Sequence, residues 1–232
     1  MKIANMMFGR GLGGIEQAFL DYNEALLHAG HEVLAITHPL ASINGEITGN
    51  LMHETLSNRG SWDILAARKL QKLYREWKPD AIISHGNRAI ALNLLADPGI
   101  FHIGVTHNYQ LRRFAWLDGV IATTDNLEHA ARQAGVDAAR IARLPNMVRL
   151  PEKADTPTHT PPVIGMMGRM VEKKGFAHLL EAAATLAAKG REFRLLLGGS
   201  GPLESALRQQ CQKLGVENRA KFAGWVEDKA SF

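Results

Sequence analysis

Four short stretches hold residues whose types and spacing could do chemistry. FGRGLGGIE, residues 8 to 16, sets Gly9, Gly11 and Gly14 in the G-x-G-x-x-G spacing that lets backbone approach a dinucleotide pyrophosphate. GRMVEKKGF, residues 168 to 176, gathers Arg169, Lys173 and Lys174, a planar fork and two point charges able to neutralise a diphosphate without a metal. LLLGGSGP, residues 195 to 202, brings Gly198, Gly199 and Gly201 ahead of Pro202. IISHGN and GVTHNY put His85 and His107 just beyond apolar runs, where an imidazole could contact a ligand or simply complete the fold.

Each pattern has a competing reading. A dinucleotide site needs an acidic residue at the end of the second strand, about 20 residues past the glycines, to hold the ribose hydroxyls. Here that strand ends AITHPL, residues 35 to 40, with no carboxylate, which disfavours an NAD- or FAD-dependent oxidoreductase. What remains is Gly13 and Gly14 opening a helix, whose N–H groups and positive dipole end suit an anion. In GGSGP, Pro202 stands where the G-x-S-x-G nucleophile elbow needs glycine; it fits instead the first position of a helix. The sequence has no D-x-D, no H-E-x-x-H and no G-x-x-x-x-G-K-[ST], and one cysteine cannot build a zinc cluster. Phosphate chemistry here is therefore expected to need no metal and no bound cofactor.

Alternating strand-like and helix-like segments must position these residues. KIANMMF, HEVLAITH, DAIIS, FHIGVT and DGVIATT read as strands, and IEQAFLDYNEALLHAG, Trp62 to Lys78, Asn87 to Ala96 and Asp125 to Ala134 as helices. A polar loop is expected from Pro39 to about Gly60. PEKADTPTHTPP, residues 151 to 162, has no apolar period and reads as a proline-rich linker. Alternation then resumes with VIGMMG, Phe176 to Lys189, FRLLLG, Pro202 to Leu214 and AKFAGW. Such alternation predicts an α/β fold with mostly parallel sheets, in two domains of about 1 to 150 and 163 to 232. The second holds three strands and two helices, a half-sheet with an apolar face left open, as in a truncated domain.

A formal charge of +4 with pI near 9.3 suits anionic ligands but is too mild for nucleic acid, and no basic patch with stacking aromatics is present. The helix from Trp62 carries Arg68, Lys72 and Arg75 on one face, with Trp62, Leu65, Leu73 and Trp77 mainly on another. This suits either peripheral contact with an anionic membrane or a solvated face of a helix packed on its own sheet. The single Cys211 fits a reducing, cytoplasmic setting, and no apolar run is long enough to span a bilayer.

Taken in order, GGIE, VTHNY, LPNMV, GRMVEKKGF, GGSGP and FAGWVEDK resemble the retaining GT-B glycosyltransferases of family four. The resemblance implies two Rossmann-like domains, the second incomplete here, and transfer from a nucleotide-sugar donor to a glycan or glycolipid acceptor without metal. Bacterial cell-surface polysaccharide or lipopolysaccharide synthesis, at the inner face of the cytoplasmic membrane, is the implied setting. It assigns Arg169 and Lys174 to the donor diphosphate, Gly13 and Gly14 to backbone donation, and His107 to the transferred sugar. Gly199 and Gly201 would admit the nucleotide. Family members continue past FxGWxxD into a segment with two glutamates that hold the donor, so little transfer is expected from this chain alone. A non-catalytic remnant or one subunit of a split transferase is the alternative.

Overall fold

The computed structural model describes residues 1–147 and 159–226. The chain divides into two compact units, Met1–Arg149 and Leu150–Phe232. Residues 151–158 of the expected linker and the last three residues of FAGWVEDK lie outside the described residues.

The first unit is one parallel sheet in the order β3-β2-β1-β4-β5-β6-β7. The strands are β1 (Lys2–Met7), β2 (Glu32–Thr37), β3 (Met52–Thr55), β4 (Ala81–His85), β5 (Phe101–Val105), β6 (Gly119–Ala122) and β7 (Ile141–Arg143). The helices are α1 (Gly14–His28), α2 (Ile64–Trp77), α3 (Asn87–Ala96) and α4 (Asp125–Gln133). β1 and β4 are almost wholly buried because helices cover both faces. On one face Met6, Leu34 and Ile82 pack with Leu70 and Tyr74 of α2 and Leu92 of α3. On the other, Phe19 and Tyr22 of α1 meet Met7, Ile3, Ile83 and Val105.

Local chemistry sets the helix ends. The Asp63 carboxylate accepts N–H groups from Ala66 at 3.0 Å and Arg59 at 2.9 Å, so α2 begins after Trp62. Lys78 then turns left-handed (φ 55°) ahead of Pro79, which cannot follow an α-region residue comfortably. Thr124 caps α4 by accepting from Leu127 N–H at 3.2 Å.

Two strands depart from the sequence expectation. The loop expected over 39 to 60 contains β3 and a 3-10 turn at Ser42–Glu46, and β7 follows a 3-10 turn at Ala138–Arg140. Both extra strands are sheet edges with few buried side chains, so neither carries the apolar run that marks a central strand.

The second unit orders β10-β9-β8, all parallel, from β8 (Val163–Met167), β9 (Arg194–Gly198) and β10 (Ala220–Gly224). Helices α5 (Phe176–Ala188) and α6 (Glu204–Lys213) bury Phe176, Leu180, Leu207 and Cys211 against Leu195 and Leu197. Val163 and Met167, on the face away from this core, stay exposed. Pro202 is not the first residue of α6. The bonds from Leu203 N–H to Met170 O (3.2 Å) and Glu204 N–H to Gly201 O (3.1 Å) hold residues 202 and 203 in a turn before the helix.

Candidate functional site

Strand order reverses in the first unit between β1 and β4, and ligands of open parallel sheets bind outside the carboxyl ends of strands at such a switch. The loop after β1 is residues 8 to 13, and the turn after β4 is His85-Gly86-Asn87. The glycine pattern and one of the two histidines therefore stand at the switch itself.

Gly13 caps α1 and Gly14 is its first residue, both exposed. A β-carbon on Gly14 would meet nothing within 4 Å. No side-chain hydrogen bond caps the helix start, but a carboxylate stands close by. The Glu16 side chain folds back so that its carboxylate lies against Gly9 and sits 3.1 Å from where a Gly13 β-carbon would be. A carboxylate in the first turn is favoured by the helix dipole, so Glu16 already neutralises part of the field that the glycine pattern suggests for a ligand.

His85 and His107 end up together. Register pairs His85 with Val105 across β4 and β5, so His107 falls two residues beyond that pair. His85 Nδ1 lies 3.0 Å from His107 Nε2, with the rings stacked at 5.2 Å. The edges of Phe19 and Tyr22 hold the His85 ring at centroid distances of 5.9 and 4.9 Å. Thr123 ties the strand ends beneath, donating its hydroxyl to Thr106 O at 2.9 Å and its N–H to Thr106 Oγ1 at 3.2 Å. Burial pushes His107 down to about 4; burial, then the neighbouring His107, pushes His85 well below the usual imidazole range. Both rings are thus neutral near pH 7, and one donates to the other. His85 Nε2 and the Tyr22 hydroxyl are buried without a hydrogen-bond partner among the described residues. Burial also raises Tyr22 to about 12. Read alone, each histidine motif is ambiguous. The signal that unites them is their common position at the ends of neighbouring strands.

In the second unit, Arg169 follows β8 and Lys174 closes a 3-10 turn at Glu172–Lys174. Both are exposed, and among the described residues neither makes an ion pair with a carboxylate. The Lys174 stem folds back, its Cδ 3.9 Å from the β-carbon position of Gly168, which brings this cation to the residue beside Arg169. Lys173 is exposed on the same turn.

Gly199 and Gly201 have a packing role of their own. A β-carbon on Gly199, whose φ is +110°, would run into Gly168 O, and one on Gly201 would lie 2.8 Å from Met170 N. The loops after β8 and β9 are pressed together there, and Met170 N–H donates to Ser200 O at 2.9 Å. These glycines hold in place the backbone that presents Arg169.

Two α/β units, each with its polar residues gathered at the carboxyl ends of parallel strands, are the pattern of a GT-B glycosyltransferase. Residues 12–151 match the family described as Glycosyltransferase Family 4, and residues 150–232 match Glycosyl transferases group 1. The chain belongs to Glycosyltransferase Family 4 and is a glycosyltransferase by descent. It is 30% identical to the lipopolysaccharide core biosynthesis glycosyltransferase LpsE of Rhizobium meliloti (strain 1021), aligning over all of this chain and 69% of that protein. With LpsD of the same organism it shares 28% over all of this chain and 68% of the relative. In fold it is similar to Anabaena Alr3699/HepE in complex with UDP and glucose, with a TM-score of 0.78 at 18% identity, over 97% of this chain and 70% of that one.

Proposed function

We propose that the protein transfers a sugar from a nucleotide-sugar to a glycan or glycolipid acceptor, with retention and without a metal. The setting is lipopolysaccharide or related cell-surface polysaccharide assembly on the cytoplasmic side of the membrane. The observation that carries this reading is the pair of exposed cations, Arg169 and Lys174, at the carboxyl end of β8, neither of them in an ion pair among the described residues. A diphosphate leaving group gains negative charge as the glycosidic bond breaks, and a guanidinium fork with a second cation stabilises that charge. The similar Anabaena Alr3699/HepE, in complex with UDP and glucose, supports a uridine nucleotide, and the relatives LpsE and LpsD, lipopolysaccharide core biosynthesis glycosyltransferases, support the setting. Retention is inferred from the family. His107 is assigned to the transferred sugar, and Gly13 and Gly14 to backbone donation once Glu16 swings aside. The single cysteine, Cys211, is free and buried, which suits a reducing compartment.

A membrane contact belongs to the same proposal. Among the described residues no helix is long and apolar enough to cross a membrane. At the start of α2, Trp62, Ile64 and Leu65 are 78, 58 and 67% exposed, so Trp62 and Leu65 do not share the packed face with Leu73 and Trp77. Exposed Arg68, Lys69, Lys72 and Arg75 follow along the helix, and the Arg113 guanidinium lies 6.0 Å from the Trp62 ring centre. Apolar side chains beside a cationic helix face suit the headgroup region of an anionic bilayer.

Calorimetric titration of the chain with UDP and GDP in EDTA tests the donor site. One nucleoside diphosphate is expected to bind, and Arg169→Gln to weaken it about tenfold, roughly 1.4 kcal/mol, with an unchanged melting temperature. Binding that needs added magnesium, or is indifferent to Arg169→Gln, would overturn the metal-free diphosphate assignment.

A further inference from the structure

The end of β2 carries His38 where a ribose-binding fold carries a carboxylate, and His38 faces a cation. Its Nδ1 accepts the Leu40 backbone N–H at 3.0 Å, while its Nε2 lies 3.1 Å from Arg10 Nη2. A backbone N–H can only donate, so Nδ1 holds a lone pair and the proton of a neutral imidazole sits on Nε2. The guanidinium can only donate too. Two N–H groups therefore meet with no acceptor between them, His38 only 3% exposed and Arg10 standing exposed on the loop above it.

The surroundings hold this arrangement in place. Arg10 O accepts from Ser42 Oγ at 2.8 Å and Ser42 N at 3.3 Å, which fixes the glycine loop on the segment after β2. Asn44 Nδ2 donates to His38 O and Pro39 O, each at 3.1 Å, and Thr37 Oγ1 donates to Asn44 Oδ1 at 2.7 Å. Arg88, in the first turn of α3 after β4, adds a second positive charge felt at His38. Among the described residues neither Arg10 nor Arg88 pairs with a carboxylate. The Glu16 carboxylate, in the first turn of α1, lies instead against Gly9 and beside Gly13.

We propose that Arg10, His38 and Arg88 bind the oxyanion of a negatively charged acceptor, a phosphate or carboxylate carried on the sugar to be extended. An oxygen between Arg10 Nη2 and His38 Nε2 takes both orphaned donors, and Arg88 neutralises the remaining charge. The inference rests on the transferase reading, in which the donor diphosphate falls to Arg169 and Lys174, and it defines the acceptor class that reading leaves open.

The test is nitrogen NMR of the chain labelled in its histidines, titrated separately with glucose 6-phosphate, glucuronate, glucose and UDP. His38 is expected to show a protonated Nε2 that shifts with glucose 6-phosphate or glucuronate and not with glucose. Whichever of the two acids acts at lower concentration names the oxyanion. Arg10→Gln is expected to weaken the effect at least tenfold and Arg88→Gln about threefold. Arg10→Lys, which keeps the charge and loses the fork, should fall between wild type and Arg10→Gln. A proton on Nδ1 would mean that Arg10 already has its acceptor, and overturns the proposal. So would the absence of a shift with either acid, an Arg10→Gln variant that keeps the loop folded and binds as before, or displacement of the sugar acid by UDP. If the His38 shift persists while UDP fails to bind in the Arg169 titration, the anion site stands and the transferase reading falls.

Discussion

The two glycine turns look alike in sequence and differ in what surrounds them. Gly14, at the mouth of the first unit's sheet, has open space where a side chain would go. Gly199 and Gly201, after β9, have none: the backbone of Gly168 and Met170 occupies it. Empty room beside a glycine is available to a ligand, whereas filled room is already used by the fold. The second glycine turn is thus part of the unit's architecture, holding the loop on which the exposed Arg169 and Lys174 stand. Titration separates the units too. Every buried histidine lies in the first unit, while His159 and His178 in the second are exposed.

Filling the crowded turn is expected to have the largest effect. Gly201→Ala should cost about 1–3 kcal/mol of second-unit stability through overpacking against backbone that cannot give way. Gly199→Ala adds the strain of a left-handed backbone, about 1–2 kcal/mol. Urea unfolding followed by probes in each unit would show the second transition moving and the first staying; equal stability to wild type would break the comparison.

Acid should act the other way round. His102 is held down to about 4 by burial, outweighing the pull of Asp118, and His107 likewise by burial, against an ordinary 6.5. Between pH 6.5 and 4 the unfolded chain takes up protons that the folded unit refuses. First-unit stability is therefore full above pH 6.5 and falls by about 1.4 kcal/mol per pH unit for each such histidine as pH drops toward 4. The same unfolding experiment repeated across this range should draw the first transition down faster than the second. Parallel loss in both would contradict the difference.

A smaller effect is expected at the start of α2. The double substitution Trp62→Ser, Leu65→Ser should leave stability within about 0.5 kcal/mol, because both side chains are exposed. It should weaken sedimentation with phosphatidylglycerol vesicles several-fold; vesicle binding that is absent or unaffected would remove the membrane contact. The smallest change belongs to the open turn. Gly14→Ala should leave the first unit as stable or up to about 1 kcal/mol more so, since alanine restricts the unfolded chain and meets nothing in the folded one. A clear loss would show that this room is filled after all.

Much of this frame was legible in the residues. β1, β4 and β9 announced themselves as apolar runs because α-helices bury them, and α1 declared its start at Gly13 and Gly14. β3 and β7 did not, because a short edge strand keeps polar side chains such as His53, Glu54 and Arg143 in its register. Arg169 and Lys174 could be placed at the carboxyl end of the sheet from sequence, because a loop between strand and helix fixes that end. The pairing of His85 with His107, and of Arg10 with His38, depends on strand register and on which way a loop folds. Neither is written in local spacing. The fold of the Glu16 side chain toward Gly9 and Gly13 was equally hidden, since a glycine pattern does not show which way a neighbouring side chain turns.

The most direct test of the account is to locate UDP on the chain by amide NMR, in EDTA, with assigned resonances for both units. The account expects the Arg169 and Lys174 amides to move along one saturation curve while buried Leu207 and Cys211 stay fixed. It also expects Arg169→Gln to push that curve to about tenfold higher concentration. Saturating UDP that leaves Arg169 and Lys174 unmoved, or moves only residues elsewhere, would contradict the claim that these two cations are the donor site.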